Sequence, residues 1–408
     1  MTSNITAESP PHHPDVLKSS SDDRTLLVHG GRQPGRFSGM VNTPVHRGST
    51  ILASSLEEWE RWKAPENGTS RYGRFGTPTT HSFQDLIAKL EGGHRSIVFP
   101  SGLSACTHTL LSFLQAGDHI LMTDSVYGPV RSFATQVLKR FGIEVGFFDP
   151  LIGSGIGALI RPNTRVVYVE SPGSWTFEVQ DIPAIAEQAH RAKATVVMDN
   201  TWASPLFFKP FEHGVDVSIQ AATKYIVGHS DAFLGVATGT RESWERLQKG
   251  SHDFGEIAGP DDIYLALRGL RSMDVRLARH WENGAVLAES LREHKLVHSV
   301  LHPALPEHPG HALWKRDFRG ASGLFGVQLH RLEPHVIKAL FDRLQLFGVG
   351  FSWGGFESLA VPSEESIPGS ARTWPHAGKI IRIHAGLESA EDLVADMRQA
   401  FRHAATLV

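Results

Sequence analysis

Two neighbouring stretches of the chain put an acid and an amine where one crevice could hold both. The apolar run Thr195-Val-Val-Met ends in Asp199-Asn-Thr-Trp202, and Asp216-Val-Ser-Ile-Gln runs into Ala221-Ala-Thr-Lys224. If both runs are parallel strands, their carboxyl ends face the ligand-binding edge of a sheet. An amine can condense with a carbonyl, and an acid can keep a heteroaromatic nitrogen protonated. That pair is what pyridoxal phosphate needs to draw carbanion electrons into its ring. Taken singly, each residue is more often a solvated surface group, so the inference rests on their convergence.

A second stretch bears on the same chemistry. Phe99-Pro-Ser101-Gly102-Leu103-Ser104-Ala105 reads as a tight turn from strand to helix, where free amides and the helix dipole favour a phosphate dianion, and Thr223 could add a hydroxyl. On its own it would be an ordinary strand-to-helix turn. Other patterns carry less. Gly153-Ser-Gly155-Ile-Gly157 and Gly348-Val-Gly350 lack the spacing of a dinucleotide fingerprint, and the 23 histidines include no HExxH pair.

These residues need a scaffold. The 408 residues, 41% hydrophobic and 20% charged, suit a folded protein of about two domains. The net charge of −3 is not massed in a basic tract, which argues against nucleic acid as a partner. The lone Cys106 excludes an intrachain disulfide and fits a reducing cytoplasm. The polar start lacks a signal-peptide pattern, no apolar run is long enough to span a bilayer, and the N-x-T triplets at Asn4 and Asn67 read as chance matches.

Seven short apolar runs, at 96–99, 119–122, 144–148, 165–169, 195–198, 215–219 and 234–238, alternate with helical stretches at 103–114, 130–140 and 182–191. That alternation predicts an α/β fold with a largely parallel sheet. After 261 a long helical pattern runs to about 294. Strands are expected at 296–301, 323–329, 358–361 and 379–384, with helices at 334–346 and 390–405, making a smaller α+β domain. The expected division is 1–65 as tail and arm, 66–260 as the cofactor-binding domain and 261–408 as the C-terminal domain.

Several separated motifs in order, Tyr72-Gly-Arg74-Phe-Gly-Thr-Pro-Thr, Pro100-Ser-Gly102, Asp199-Asn-Thr-Trp, Ala222-Thr-Lys224-Tyr-Ile-Val-Gly-His-Ser-Asp and Ser352-Trp-Gly-Gly-Phe-Glu-Ser, resemble the Cys/Met-metabolism family of pyridoxal-phosphate enzymes. The resemblance implies a transferase-like fold of type I with a mainly parallel seven-stranded sheet. It also implies that Lys224 holds the cofactor and shuttles protons, Asp199 pairs with the pyridine nitrogen, and Tyr127 stacks on the ring. Ser101, Gly102, Leu103 and Thr223 would cradle the phosphate. Tyr72 and Arg74 would reach it from a neighbouring subunit of a homotetramer, with Tyr72 also serving catalysis beside Tyr127. Arg382 would clamp the substrate carboxylate, beside Ser352 and Trp353. Trp353, Trp202 and the segment Glu170-Ser-Pro-Gly-Ser174 resemble the β-lyase branch, implying cleavage of cystathionine to homocysteine, pyruvate and ammonia, a step of methionine biosynthesis.

Two positions depart from the family pattern: Ala221, where many relatives carry serine, and Ser132, where some β-lyases carry an acid near the distal amino group. The alternatives are a broader cysteine-S-conjugate β-lyase, γ-elimination or γ-replacement, and a non-catalytic regulatory protein of the same fold. A nicotinamide oxidoreductase is disfavoured by the missing glycine fingerprint.

Overall fold

The computed structural model describes residues 22–65, 68–363 and 378–408. Most of the expected N-terminal tail, the triplet at Asn4 and the residue Asn67 lie outside them. The seven apolar runs form one sheet: β1 (Arg95–Phe99), β2 (His119–Thr123), β3 (Glu144–Phe148), β4 (Thr164–Glu170), β5 (Thr195–Asp199), β6 (Val217–Gln220) and β7 (Gly235–Gly239). Their order is β1-β7-β6-β5-β4-β2-β3. Only β7 runs against its neighbours β1 and β6, and every other pairing is parallel.

The middles of the central strands are mostly apolar because both faces are covered. Val167 and Val169 of β4 pack with Val196 and Met198 of β5 under Ile182, Ile185 and Ala189 of the helix Ile182–Arg191. The alternate residues, Val166, Tyr168 and Val197, face Ala105, Cys106 and Leu110 of the helix Gly102–Phe113. Period-two alternation between two apolar layers is what a doubly covered parallel sheet demands.

A second sheet is wholly antiparallel, in the order β10-β11-β9-β8: β8 (Val297–Leu301), β9 (Leu324–Leu329), β10 (Leu359–Pro362) and β11 (Ile380–His384). In β11, Ile381 and Ile383 enter a core with helices Met273–Leu291, Pro334–Phe341 and Ala390–Ala404. Ile380 packs instead against the large-sheet cluster. Arg382, two residues on, therefore shares the face turned toward the first sheet.

Some elements depart from expectation. The helical pattern after 261 divides into Pro260–Leu270 and Met273–Leu291. At the break, the Gly269 carbonyl accepts from the Arg276 guanidinium at 2.8 Å and from Ser272 Oγ, which ends the first helix from the side. The expected helix at 130–140 begins as Gly128–Ser132 and continues as a π-turn, Phe133–Leu138. A helix at Pro78–Glu91, with Pro at its start and Gly92 at φ +77°, was not anticipated. The arm carries two short helices, Asp23–His29 and Leu56–Arg61. The division near 260 remains our proposal. Ile263, Ala266 and Leu270, just past it, still pack against Val98 and Val236 of the first sheet.

Candidate active site

The carboxyl ends of β4, β5 and β6 open onto a cavity of about 370 Å³, within the usual range for small-ligand sites. Its wall includes Ser101, Gly102, Leu103, Tyr127, Asp199, Thr223, Lys224, Ser352, Trp353 and Arg382, so ten of the twelve expected site residues come together.

Asp199 is the last residue of β5 and is buried. Its Oδ1 accepts from the Thr201 amide at 3.0 Å and from the Thr201 hydroxyl at 2.5 Å. Thr201 Oγ1 in turn accepts from the Ala221 amide at 2.9 Å, tying this carboxylate to the turn that presents Lys224. Burial pushes the Asp199 carboxyl above its ordinary range, while the Thr201 donors and the Lys224 ammonium pull the other way.

Lys224 is pushed down to about 8, chiefly by burial and then by the Arg382 charge, with Asp199 opposing. Near neutrality it keeps a usable fraction of neutral, nucleophilic amine. Its Nζ donates to Ser352 Oγ at 2.5 Å and lies 5.3 Å from the Trp353 ring centroid. The turn that delivers these partners is strained. Ser352 sits at φ +78°, and Gly354, at φ +85°, lies so close that a Cβ there would be 3.0 Å from Lys224 backbone and side-chain atoms.

Ser101 caps the helix Gly102–Phe113, its Oγ accepting from the Ser104 amide at 3.1 Å. The amides of Gly102 and Leu103 come before the first amide with an intrahelical acceptor, Ala105 to the Ser101 carbonyl, and so can meet an anion. A Cβ on Gly102 would stand 2.5 Å from the Ala221 Cβ, so only glycine lets the helix start approach the 221–224 turn this closely. Thr223 borders the same space, but its hydroxyl donates to the Leu234 carbonyl at 3.2 Å and accepts the Leu234 amide at 3.0 Å. Delivering its proton to a phosphate requires releasing Leu234.

Tyr127 is 42% exposed, borders the cavity and donates its backbone amide to Glu170 Oε2 at 2.7 Å. Burial first, and then nearby Cys106, Asp199 and Glu170, push its hydroxyl up, so it is neutral. Arg382 Nη2 donates to the Ser352 carbonyl at 3.3 Å, and the guanidinium lies 4.9 Å over the Trp175 ring.

Tyr72 and Arg74 do not line this cavity. They flank the short turn Gly73–Phe75, where the Arg74 guanidinium rests 5.7 Å over Tyr72 and 4.6 Å over Phe75. Ser132 is exposed and also off the cavity, whereas Ala221 is part of its wall.

Among the wall residues given no role of their own from the sequence are Glu170, Thr201 and Trp175. Glu170 ends β4 as Asp199 ends β5, and burial and Asp199 hold its carboxyl well above the usual range. The repeated pattern of an apolar strand closed by a carboxylate was the available signal. Thr201 and Trp175 offered no comparable one. Among the described residues, no group of three or more His, Cys, Asp or Glu could hold a metal ion.

The residues present fit pyridoxal phosphate. An anion cradle that a single Cβ would fill, a buried carboxylate and a lysine of lowered proton affinity share one cavity of suitable size.

The model of the family described as "Cys/Met metabolism PLP-dependent enzyme" matches residues 24–402. Curated cystathionine β-lyases 39–46% identical over nearly the full length include that of Salmonella typhimurium, 41% identical over 92% of this chain and 97% of that protein. The L-alanine/L-glutamate racemase of Wolbachia pipientis is 38% identical, covering 93% of this chain and 96% of its own. The solved structure of metB from Corynebacterium glutamicum superposes with a TM-score of 0.87 at 30% identity, over 95% of this chain and 99% of that one. The architecture is that of the pyridoxal-phosphate enzymes of fold type I.

Proposed function

Because the chain belongs to the Cys/Met-metabolism family of pyridoxal-phosphate-dependent enzymes, we propose that it is a carbon-sulfur β-lyase cleaving L-cystathionine to homocysteine, pyruvate and ammonia. The observation that carries the reading is the shared cavity: a lysine at about 8, a buried aspartate and an arginine that can take an amino-acid carboxylate.

Lys224, Asp199, Tyr127, Ser101, Gly102, Leu103 and Thr223 would hold the cofactor, whose bound ring acts as an electron sink for negative charge at the substrate Cα. Asp199 supplies the anion that keeps a ring nitrogen protonated. Arg382 would bind the substrate carboxylate through two parallel N–H donors, with Ser352 and Trp353 forming the wall beside it. Lys224 Nζ then removes the Cα proton as general base. Holding the carboxylate on one side and the amine on the other sets which Cα bond stands ready to break. The Cβ–S bond follows, its electron pair leaving on sulfur, which takes up a proton to become the homocysteine thiol. The remaining three-carbon fragment hydrolyses to pyruvate and ammonia.

The reading includes a homotetramer in which Tyr72 and Arg74 complete the neighbouring site. Their separation from the cavity of their own chain supports it. It also includes a cytoplasmic setting, in keeping with a single buried, unpaired cysteine. Among the described residues no helix is long and apolar enough to cross a membrane.

The test is incubation with L-cystathionine while identifying both the keto acid and the thiol. Pyruvate with homocysteine supports β-cleavage, and 2-oxobutyrate with cysteine would replace it by γ-cleavage. Inversion of L-alanine or L-glutamate with no thiol released would move the assignment to a racemase.

A further inference from the structure

Cys106, the only cysteine in the chain, is buried in the wall of the cavity. It projects from the helix Gly102–Phe113 into the layer over β4 and β5. Its Sγ lies 3.9 Å from Asp199 Oδ2, within reach of a thiol hydrogen bond. From β4, the hydroxyl of Tyr168 donates to the same sulfur at 3.5 Å, and that side chain is also fully buried.

The direction of the protons follows from the environment. Burial, reinforced by Asp199, pushes the Cys106 thiol well up, and burial does the same to the Tyr168 hydroxyl, so each keeps its proton. A thiol is a weak donor and a weak acceptor, and it can therefore receive from tyrosine while giving to a carboxylate. The chain reads Tyr168 O–H to Cys106 S–H to Asp199 Oδ2, and Thr201 supplies two donors to Oδ1.

We propose that Cys106 and Tyr168 are positioning residues for the cofactor. They hold the Asp199 carboxylate ionised and fix the orientation of Oδ2, so that the aspartate can keep the ring nitrogen protonated. Without donors, a carboxylate this deeply buried would take up a proton. The other groups facing Asp199 have known signs. The Lys224 ammonium favours the anion. Burial and Asp199 push the carboxyl of Glu170, its register partner on β4, well up, and burial pushes the Tyr127 hydroxyl up, so both environments favour the uncharged form. The proposal depends on the cofactor of the family and not on which thioether is cleaved.

Because the chain has one thiol, the holoenzyme has one S–H stretching band in the infrared. That band disappears in Cys106→Val, which assigns it, and moves toward the position of a weakly bonded thiol in Asp199→Asn. The pyridoxal phosphate dissociation constant, followed by absorbance, should rise about three- to tenfold in Cys106→Val, a range expected for loss of one weak thiol donor, with recovery in Cys106→Ser. Tyr168→Phe should show a smaller loss in the same direction. Added to Cys106→Val it should cost nothing further, since the link is already cut. The acid limb of activity should move to higher pH in both single variants, because Asp199 then takes up its proton more readily. An S–H band unmoved by Asp199→Asn would overturn the proposal. So would a Cys106→Val or Tyr168→Phe holoenzyme that loses thermal stability yet keeps the wild-type cofactor dissociation and acid limb.

Discussion

The cavity is built from two regions that were made rigid in different ways. On one side, Asp199, Lys224 and the Ser101–Leu103 turn issue directly from the ends of parallel strands that are buried on both faces. On the other, Arg382 comes from a strand of the second sheet, and Ser352 and Trp353 come from a turn held at positive φ. The first region needs no backbone strain to aim its groups, because strand ends and a helix start do so. The second does, and Gly354 pressed against Lys224 is what locks it. The difference suggests a division of labour: the strand-end region sets cofactor chemistry, and the second-sheet region sets which substrate stays and how it is oriented.

Substitutions that remove strand-end chemistry should have the largest effects. Lys224→Ala should lower kcat by about 10⁴-fold, as losing both nucleophile and base does in general, with retained fold shown by an unchanged circular dichroism spectrum. Asp199→Asn keeps the shape and removes the charge. It should lower kcat by about 100-fold or more, the cost of one preorganised electrostatic partner, with little change in KM. A clean KM effect from either variant would contradict the division.

Most of the strand-end region was legible in the sequence, because apolar runs closed by Asp199 or followed by Lys224 announce both the strand and the side of the sheet on which its end opens. The Ser101-Gly102 turn was legible for the same reason. The second region was legible only by resemblance, since nothing about Arg382 in an Ile-Arg-Ile-His strand says that its face turns toward another sheet. That orientation comes from long-range packing of Ile380 and Ile381 into different cores. Glu170 and Cys106 show a third case. Each was in plain view as a residue type, but their relation to Asp199 depends on strand register and helix facing, which no local pattern encodes. The division of the long helical pattern at Arg271 was equally hidden, because the nearby Gly269 lies inside the first helix and the guanidinium of Arg276, from the next helix, does the capping.

Arg382→Lys tests the other side of the comparison. Lysine keeps the charge and loses the two-pronged planar donor, so KM should rise about 30-fold, roughly 2 kcal/mol, while kcat changes by much less. Steady-state kinetics on the substrate that proves active decides this. A kcat loss matching that of Asp199→Asn would mean that the clamp takes part in bond breaking and that the two regions are not separable.

The smallest predicted effect is also the one that couples the regions. Loading of the cofactor-free protein with pyridoxal phosphate needs Lys224 as a neutral amine, and its value of about 8 sets the midpoint. The loading rate should rise with pH through that midpoint and be about fivefold lower at pH 7 than at pH 8, the ratio of neutral-amine fractions. Arg382 is the second cause of the lowered value, after burial. Removing its charge in Arg382→Leu should therefore move the loading midpoint to higher pH, a displacement smaller than the whole shift because burial remains. A second-sheet substitution would then have altered a strand-end property through charge alone, across a cavity that no substrate occupies. If the midpoint stays where it is, burial alone sets the reactivity of Lys224, and the two regions meet only when substrate bridges them.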